Sequence, residues 1–532
     1  MRVEPGAPRR SVRTHQGWGW AGLIHGILQI VRPQRATRCA VWWDDTVTEH
    51  ISSQDFLDAV ALDGPFKEWA DVYAATADPR HSTPEYAAQL EQVRASTGYI
   101  ESVRVGEASL DGVRVAVIAS DFAFLGGSIG ERAALIIAAA TRKATELGLP
   151  LVASPVSGGT RMQEGAAAFL QLATIGLALT AHRDAGLPYL VYLRSPTTGG
   201  VMASWGSLGQ VSIAQPEAFL AFLGPRVVEA ITGSEIPSGV QRAEHLAGTG
   251  VVDRVEDLAA FVGSFRTVLA ILRVSDSIES APHTQPPVNE AVDAWDAVTA
   301  TRATNYPDLL GFVRQVAPRN LELVGPHSSM ADGAGYVALA RLAGRGVTIV
   351  GFRGAEGAPY VSAADLARVR LAVETSGALG LPVVAVIDLQ GGELTAAAEE
   401  AGIAREIARS LAAFASARVP TVAVLLGKGS GGAAFAIGAT DAVVALPHAW
   451  LAPLQPEGAS AIVYRDALHA AELARSQGIT ATDLAGAGYV DEIVPDLTAL
   501  EAAIARHLDG LTALTLEERA TARVARYLPL GT

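Results

Sequence analysis

The sequence predicts an α/β protein built from two copies of one parallel-sheet domain, and three observations carry that prediction. The phrases PLVASPVSGG (Pro150 to Gly159) and SPTTGG (Ser195 to Gly200) return downstream as PVVAVIDLQGG (Pro382 to Gly392) and GKGSGG (Gly427 to Gly432). Gly158 to Gly199 spans 41 positions (199 − 158) and Gly391 to Gly431 spans 40 (431 − 391), so the spacing survives while the residues between diverge. Each copy then closes on a related phrase, AGTGVVD ending at Asp253 and AGAGYVD ending at Asp491. Lastly, both copies run strand, helix, strand, helix, strand. Repetition on this scale marks a duplicated domain.

In the first copy, RVAVIAS (Arg114 to Ser120) reads as a buried strand, followed by an apolar helical stretch from Glu131 to Leu147. PLVASPV (Pro150 to Val156) is the next strand, Met162 to Ala185 the next helix, and PYLVYLR (Pro188 to Arg194) the third strand. The second copy repeats the order with Gly346–Phe352, a helix over Ala363–Leu379, Pro382–Asp388, a helix over Thr395–Ala417, and Pro420–Leu426. Strands alternating with helices of this length imply parallel pairing through crossover helices, with ligand sites at the carboxyl ends of the strands. Both glycine pairs stand at such ends. Thr83 to Thr97 reads as an exposed lead-in helix.

Composition narrows the function classes. The 532 residues include 49% apolar and 18% charged side chains, enough for sizeable cores. A formal charge of −14 opposes a nucleic-acid role, because neutralising phosphates needs a basic surface. The single cysteine, Cys39, excludes an intrachain disulfide and any four-thiolate metal site, so a cytoplasmic setting is expected. The run Trp18 to Val31 follows four arginines, yet it is interrupted by His25 and Gln29 and is too short to span a bilayer. It reads as part of an N-terminal arm, and no membrane role is expected.

The candidate chemistry lies in the backbone. Paired glycines that end a buried strand and open a helix aim unpaired N–H groups into a cleft, which suits developing negative charge. SGGTRMQEG (Ser157 to Gly165), TTGGVMASWGSLG (Thr197 to Gly209) and GSGGAAFAIG (Gly429 to Gly438) all have this character. Arg161 and Glu164 stand at i, i+3 and are expected to pair and hold their loop. Lys428 is read as an exposed loop charge with anion contact as its functional alternative, and Arg226 as a phosphate contact or a solvated helix-start residue. His327 and His448 lack metal-ligand company. Trp205 and Phe435 are acyl-pocket candidates or core.

These residues resemble a known family. DFAFLGGSIGE, LPLVASPVSGGTRMQEG, LPYLVYLRSPTTGGVMASWGSLG and FLGPRVVEAI are similar to the beta subunit of bacterial acetyl-CoA carboxylase carboxyltransferase. ARLAGRGVTIVG, PVVAVID, ASARVPTVAVLLGKGSGGAAFAIGATD, LQPEGASAIVY and GYVDEIVPD resemble its alpha subunit. The resemblance runs from about Asp63 to Asp496 and implies a beta-then-alpha fusion with two tandem crotonase-like (ClpP/crotonase) domains. The resulting division is an N-terminal arm at 1–62, a first domain at 63–274, a linker at 275–291 and a second domain at 292–532.

The resemblance implies transfer of a carboxyl group from carboxybiotin, held on a separate carrier protein, to the alpha carbon of an acyl-CoA such as acetyl-CoA. Gly199 and Gly200 would supply one set of oxyanion donors, and Gly432 with Ala433 the other. Gly158, Gly159, Arg161, Gly431, Lys428 and Arg226 are the accompanying candidates for holding coenzyme A or biotin. Biotin carboxylase and a biotin carboxyl carrier protein are the implied partners, and the implied assembly is a homo-oligomer, dimer or hexamer, whose two sets of donors meet across a subunit interface. No zinc is expected, since the four-cysteine ribbon of such beta subunits cannot be built here. The segment after Asp388 reads LQGGELTAAAEEAG where that family carries a proline and glycine turn, implying a specialised enzyme or a reduced role for the second half. Rival readings are a biotin-independent crotonase-type decarboxylase or hydratase, and a non-catalytic assembly subunit.

Overall fold

The computed structural model describes residues 50–76, 78, 83–273, 291–323, 333–355 and 357–527. Cys39, the Trp18–Val31 run, His327 and all of the expected linker except Ala291 lie outside them. A seven-stranded and an eight-stranded sheet form the backbone of the described unit. The first runs, edge to edge, Lys67–Glu68, Val103–Leu110, Val113–Ser120, Leu151–Ser154, Tyr189–Leu193, Val211–Ala214 and Arg254–Val255. The second runs Arg319–Glu322, Gly335–Leu342, Arg345–Phe352, Val383–Leu389, Thr421–Ser430, Ala442–Ala445 and Glu492–Ile493, with Trp450–Ala452 pairing off Thr421–Ser430.

The parallel pairing expected from the helical crossovers holds from the third strand of each sheet onward. Ahead of it, each sheet adds an antiparallel hairpin, Val103–Leu110 against Val113–Ser120 and Gly335–Leu342 against Arg345–Phe352. The turns explain the difference. Asp111–Gly112 and Ala343–Gly344 both take positive φ at their two residues, the conformation that joins strands through a two-residue loop.

The duplication proves to be one of register. Val103 faces Ser120 in one half as Gly335 faces Phe352 in the other, an offset of 232 (335 − 103). The same offset relates Ala116–Leu151 to Thr348–Val383 and the helix at Gly199 to the helix at Gly431. The structural counterpart of Gly391 is therefore Gly159, and both glycine intervals equal 40 (199 − 159 and 431 − 391). The register slips by one only after the second turn, where Leu190 faces Val211 but Val422 faces Ala442.

Helix ends follow local chemistry. Ala363–Leu379 starts in a reciprocal capping box between Ser362 and Asp365 and stops at Gly380, φ 67°. The single helix expected over Thr395–Ala417 divides into Ala396–Glu400 and Ile403–Ala415, because Gly402 between them is left-handed at φ 77°. The stretch read as an N-terminal arm and the lead-in helix expected to be exposed both contribute residues to cores. Phe56, Leu57 and Val60, on helix Ser53–Val60 within the stretch read as an arm, are fully buried, and the lead-in helix Pro84–Thr97 buries Tyr86 and Leu90.

Helix Leu258–Leu272, capped by Asp257, joins the halves. It packs on helix Ser53–Val60 of the first and on strands Arg319–Glu322, Gly335–Leu342 and Arg345–Phe352 of the second. Phe261 is its anchor, with its ring centroid 4.5 Å from Tyr192 and 5.9 Å from Phe56 and Phe265, in one apolar cluster that spans both sheets. Phe261→Ala is expected to lower the unfolding free energy by about 3 to 5 kcal/mol, the range for emptying a buried aromatic site. Urea unfolding followed by fluorescence checks it; an unchanged midpoint would show that this helix is not what joins the halves.

Candidate functional site

Each half brings two glycine turns together at the carboxyl end of its parallel strands. In the first, Gly159 (φ 109°) follows strand Leu151–Ser154 and Gly199 (φ 62°) opens a short helix after strand Tyr189–Leu193. In the second, Gly391 (φ 131°) and Gly431 (φ 74°) hold the equivalent places. All four angles lie where L side chains are strained. The first pair is also in close approach: a Cβ on Gly199 would lie 3.1 Å from the Gly159 Cα.

The helices Gly199–Met202 and Gly431–Ala436 have no side-chain cap, although Thr198 and Ser430 precede them. The Thr198 hydroxyl donates instead to the Ser157 carbonyl at 3.2 Å. Helix geometry leaves the first N–H groups of each turn without an intrahelical acceptor, and the macrodipole adds positive potential there. Next in line, a Cβ on Gly200 would overlap Leu172 Cδ1 and meet Thr160 Oγ1 at 2.7 Å, and one on Gly432 would meet Ile407 Cδ1 at 2.9 Å. Ala433 is buried.

The accompanying candidates take varied places. The Gly158 N–H donates to the Gly126 carbonyl (2.8 Å) and the Gly159 N–H to Ser157 Oγ (3.0 Å), so both amides expected near a ligand are engaged within the loop. Arg161, 1% exposed, gives Nη1 to Glu101 Oε1 at 2.6 Å and to Glu164 Oε1 at 3.2 Å, which makes it a brace enclosed by protein. Lys428 is not the exposed loop charge that the sequence suggests. It lies on strand Thr421–Ser430, 6% exposed, with Nζ donating to the Gly354 carbonyl at 2.5 Å. Arg226 falls at the start of helix Pro225–Thr232, its side chain outside what is described. Trp205 is core, Phe435 is 58% exposed, and His448 is partly buried in the turn ahead of Trp450.

The divergent loop after Asp388 keeps the backbone of its counterpart. Val361 bridges Gly392 as Ile129 bridges Thr160, again 232 positions apart (361 − 129). Side chains secure it: Gln455 Nε2 donates to the Gln390 carbonyl at 3.0 Å, and Arg302 Nη2 donates to Gln455 Oε1 at 3.1 Å. Beside it Asp388, 3% exposed, accepts from the Lys428 N–H at 3.4 Å and packs against Gly354, where a Cβ would overlap the Asp388 carbonyl. In the sequence Asp388 is only a landmark; its pairing with Lys428 has no signal in spacing, since the two are 40 positions apart (428 − 388).

Burial pushes the Asp388 carboxyl up to about 6, against the opposing pull of Lys428. A carboxyl raised on folding holds its proton better in the native state, so its contribution to stability is present at low pH and declines as pH rises through about 6. Relative to wild type, Asp388→Asn is therefore expected to gain stability between pH 4 and 7, by about 3 kcal/mol. Chemical unfolding of both proteins across that range reads this directly, and a constant difference would remove the assignment.

Comparison with known proteins agrees with this geometry. The Carboxyl transferase domain family matches residues 80–511. A Mycobacterium tuberculosis (strain ATCC 25618 / H37Rv) protein named probable biotin-dependent acyl-coenzyme A carboxylase beta3 subunit is 44% identical over 494 residues, covering 90% of this chain and 99% of its own. A Salinispora tropica protein named acetyl-coenzyme A carboxylase carboxyl transferase subunits beta/alpha is 35% identical over 470 residues, covering 84% and 81%. Among solved structures, the transcarboxylase 12S hexamer with methylmalonyl-coenzyme A and methylmalonic acid bound superposes with a TM-score of 0.71 at 22% identity, over 87% of this chain and 90% of that one. The fold is that of two tandem crotonase-like domains. With 432 of 532 residues (511 − 80 + 1) inside one family match, the chain belongs to the carboxyl transferase domain family and is a carboxyltransferase.

Proposed function

We propose that this chain is the carboxyltransferase component of a biotin-dependent acyl-CoA carboxylase, transferring a carboxyl group to the alpha carbon of acetyl-CoA or another short acyl-CoA to give a malonyl-CoA-type product. The observation that carries the reading is the pair of uncapped helix starts at Gly199 and Gly431, each held at positive φ beside a second positive-φ glycine. Carboxybiotin on its carrier would supply the carboxyl group, and the ureido nitrogen freed as that group leaves would take the alpha proton. What the chain supplies is charge stabilisation. Enolate character on the thioester oxygen and negative charge on the ureido oxygen each need preorganised donors, worth about 3 to 4 kcal/mol apiece in oxyanion holes.

Gly199 with Gly200, and Gly432 with Ala433, are the donors assigned to these two charges. A beta-type role for the first half and an alpha-type role for the second is supported by the Salinispora relative's name. Biotin carboxylase and a biotin carboxyl carrier protein complete the system in the cytoplasm, and lipid synthesis through malonyl-CoA is the setting proposed for it.

Exposed apolar surface on one helix of each half supports assembly. Helix Gly165–Asp184 leaves Phe169, Leu170 and Leu177 at 62%, 67% and 73% exposure, and helix Pro456–Val463 leaves Ile462 at 64%. Apolar groups gathered at this density are suited to burial against protein. A second copy of this chain, first half against second half, would bring one turn of each kind into a shared cleft.

Gly432→Val tests the assignment where the fold is tolerant, since the added atoms first meet only the flexible end of Ile407. Gly199→Ala tests the other turn through its φ of 62°. Each is expected to lower turnover with carboxylated carrier and acyl-CoA by about 10²-fold or more while circular dichroism is retained. Wild-type rates in both variants would refute the site.

A further inference from the structure

We propose that Tyr86 is a positioning residue for the first glycine turn, acting through a buried charge cluster that has no counterpart among the described residues of the second half. The Tyr86 hydroxyl donates to Glu164 and accepts from Arg161 Nη1 at 3.2 Å. Arg161 in turn holds Glu101 through both terminal nitrogens, at 2.6 and 3.0 Å, and the Ser128 carbonyl at 2.8 Å; Glu164 also accepts from the Glu131 N–H. Two carboxylates thus share one guanidinium, with the ionic side chains within 1% of complete burial.

The fold itself does not ask for this arrangement. At the offset of 232, Glu101, Arg161 and Glu164 become Gly333, Glu393 and Ala396, and the second half forms the same sheet, bridges and turns. Nor does that half have room for the helix bearing Tyr86. Lys67, opposite Glu107, is 36 positions before Val103 (103 − 67), while Leu321, opposite the equivalent Leu339, is 14 before Gly335 (335 − 321). Burying charges in unequal number costs stability unless something else requires it.

The requirement is geometric. The Arg161 N–H bonds the Ile129 carbonyl at 2.9 Å, and the Ile129 N–H bonds the Gly159 carbonyl at 2.9 Å. Thr160, between Gly159 and Arg161, is the residue whose Oγ1 fills the space beside Gly200. Movement of Arg161 therefore shifts both the close approach of Gly159 to Gly199 and the wall behind Gly200. Glu164 is the common point, because it ties Tyr86, Arg161 and the Glu131 helix start together.

The proposal rests on Gly199 and Gly200 being oxyanion donors, and the test separates the two ideas. Tyr86→Phe keeps the ring packed with Leu90 and Phe124 and removes only the hydroxyl. It is expected to lower kcat by about 10-fold, since small misplacements of reacting groups are costly, with the acyl-CoA KM within about twofold. Leu90→Ala, which loosens the same helix without touching the cluster, serves as the structural control and is expected to lower Tm more than Tyr86→Phe while changing kcat less. If Tyr86→Phe retains wild-type kcat while Gly199→Ala has lost it, the positioning role is overturned and the site assignment stands. If activity in Tyr86→Phe and Leu90→Ala simply follows Tm, the role is structural and the proposal falls.

Discussion

The constraint on which the rest depends is the contact between two strand-end turns, which a single methyl group on Gly199 would crowd. Gly159 and Gly199 stand so close that a Cβ on the second would lie 3.1 Å from the Cα of the first, and each has a backbone angle that L residues avoid. Strands Leu151–Ser154 and Tyr189–Leu193 are neighbours in a parallel sheet, so their loops emerge side by side. Helix Gly199–Met202 can begin there only because no side chain separates the loops. The unpaired N–H groups of that helix start are a consequence of how the sheet ends.

Duplication conserves this backbone device and lets the side chains around it drift. One register offset holds from the first hairpin to the second glycine turn, including the bridges Ile129 to Thr160 and Val361 to Gly392. The braces differ. The first half uses a buried cluster of Arg161, Glu101, Glu164 and Tyr86, and the second uses Lys428, Asp388, Gln390 and Gln455. Under the proposed function the two halves face two chemically different oxyanions, a reason to share geometry and to differ in what holds it.

Much of this is legible in the sequence where the signal is local or periodic. Strand and helix positions are readable within a few residues because apolar runs and helical periods follow directly from burial, and Gly199 and Gly431 announce themselves by the paired glycines after a buried strand. The antiparallel hairpins escape such a reading, although Asp111–Gly112 is a hairpin signal, because Val103–Leu110 carries polar residues that blur its period. Gly158 stands in for Gly159 as the partner of Gly391 in the sequence pattern because paired glycines look alike until φ distinguishes them.

The sequence by itself determined that the chain is a duplicated α/β protein with glycine turns at its strand ends, because repetition, hydrophobic period and backbone permissiveness are properties of neighbouring residues. Only the tertiary structure decided that the Gly158 and Gly159 N–H groups are taken up within their own loop, that Lys428 is buried at Gly354, and that Tyr86 reaches Glu164 from 78 positions away. Those outcomes depend on which distant surfaces exclude water together. A contact of that kind leaves no mark in spacing, since packing across a core selects partners by shape and charge and not by distance along the chain.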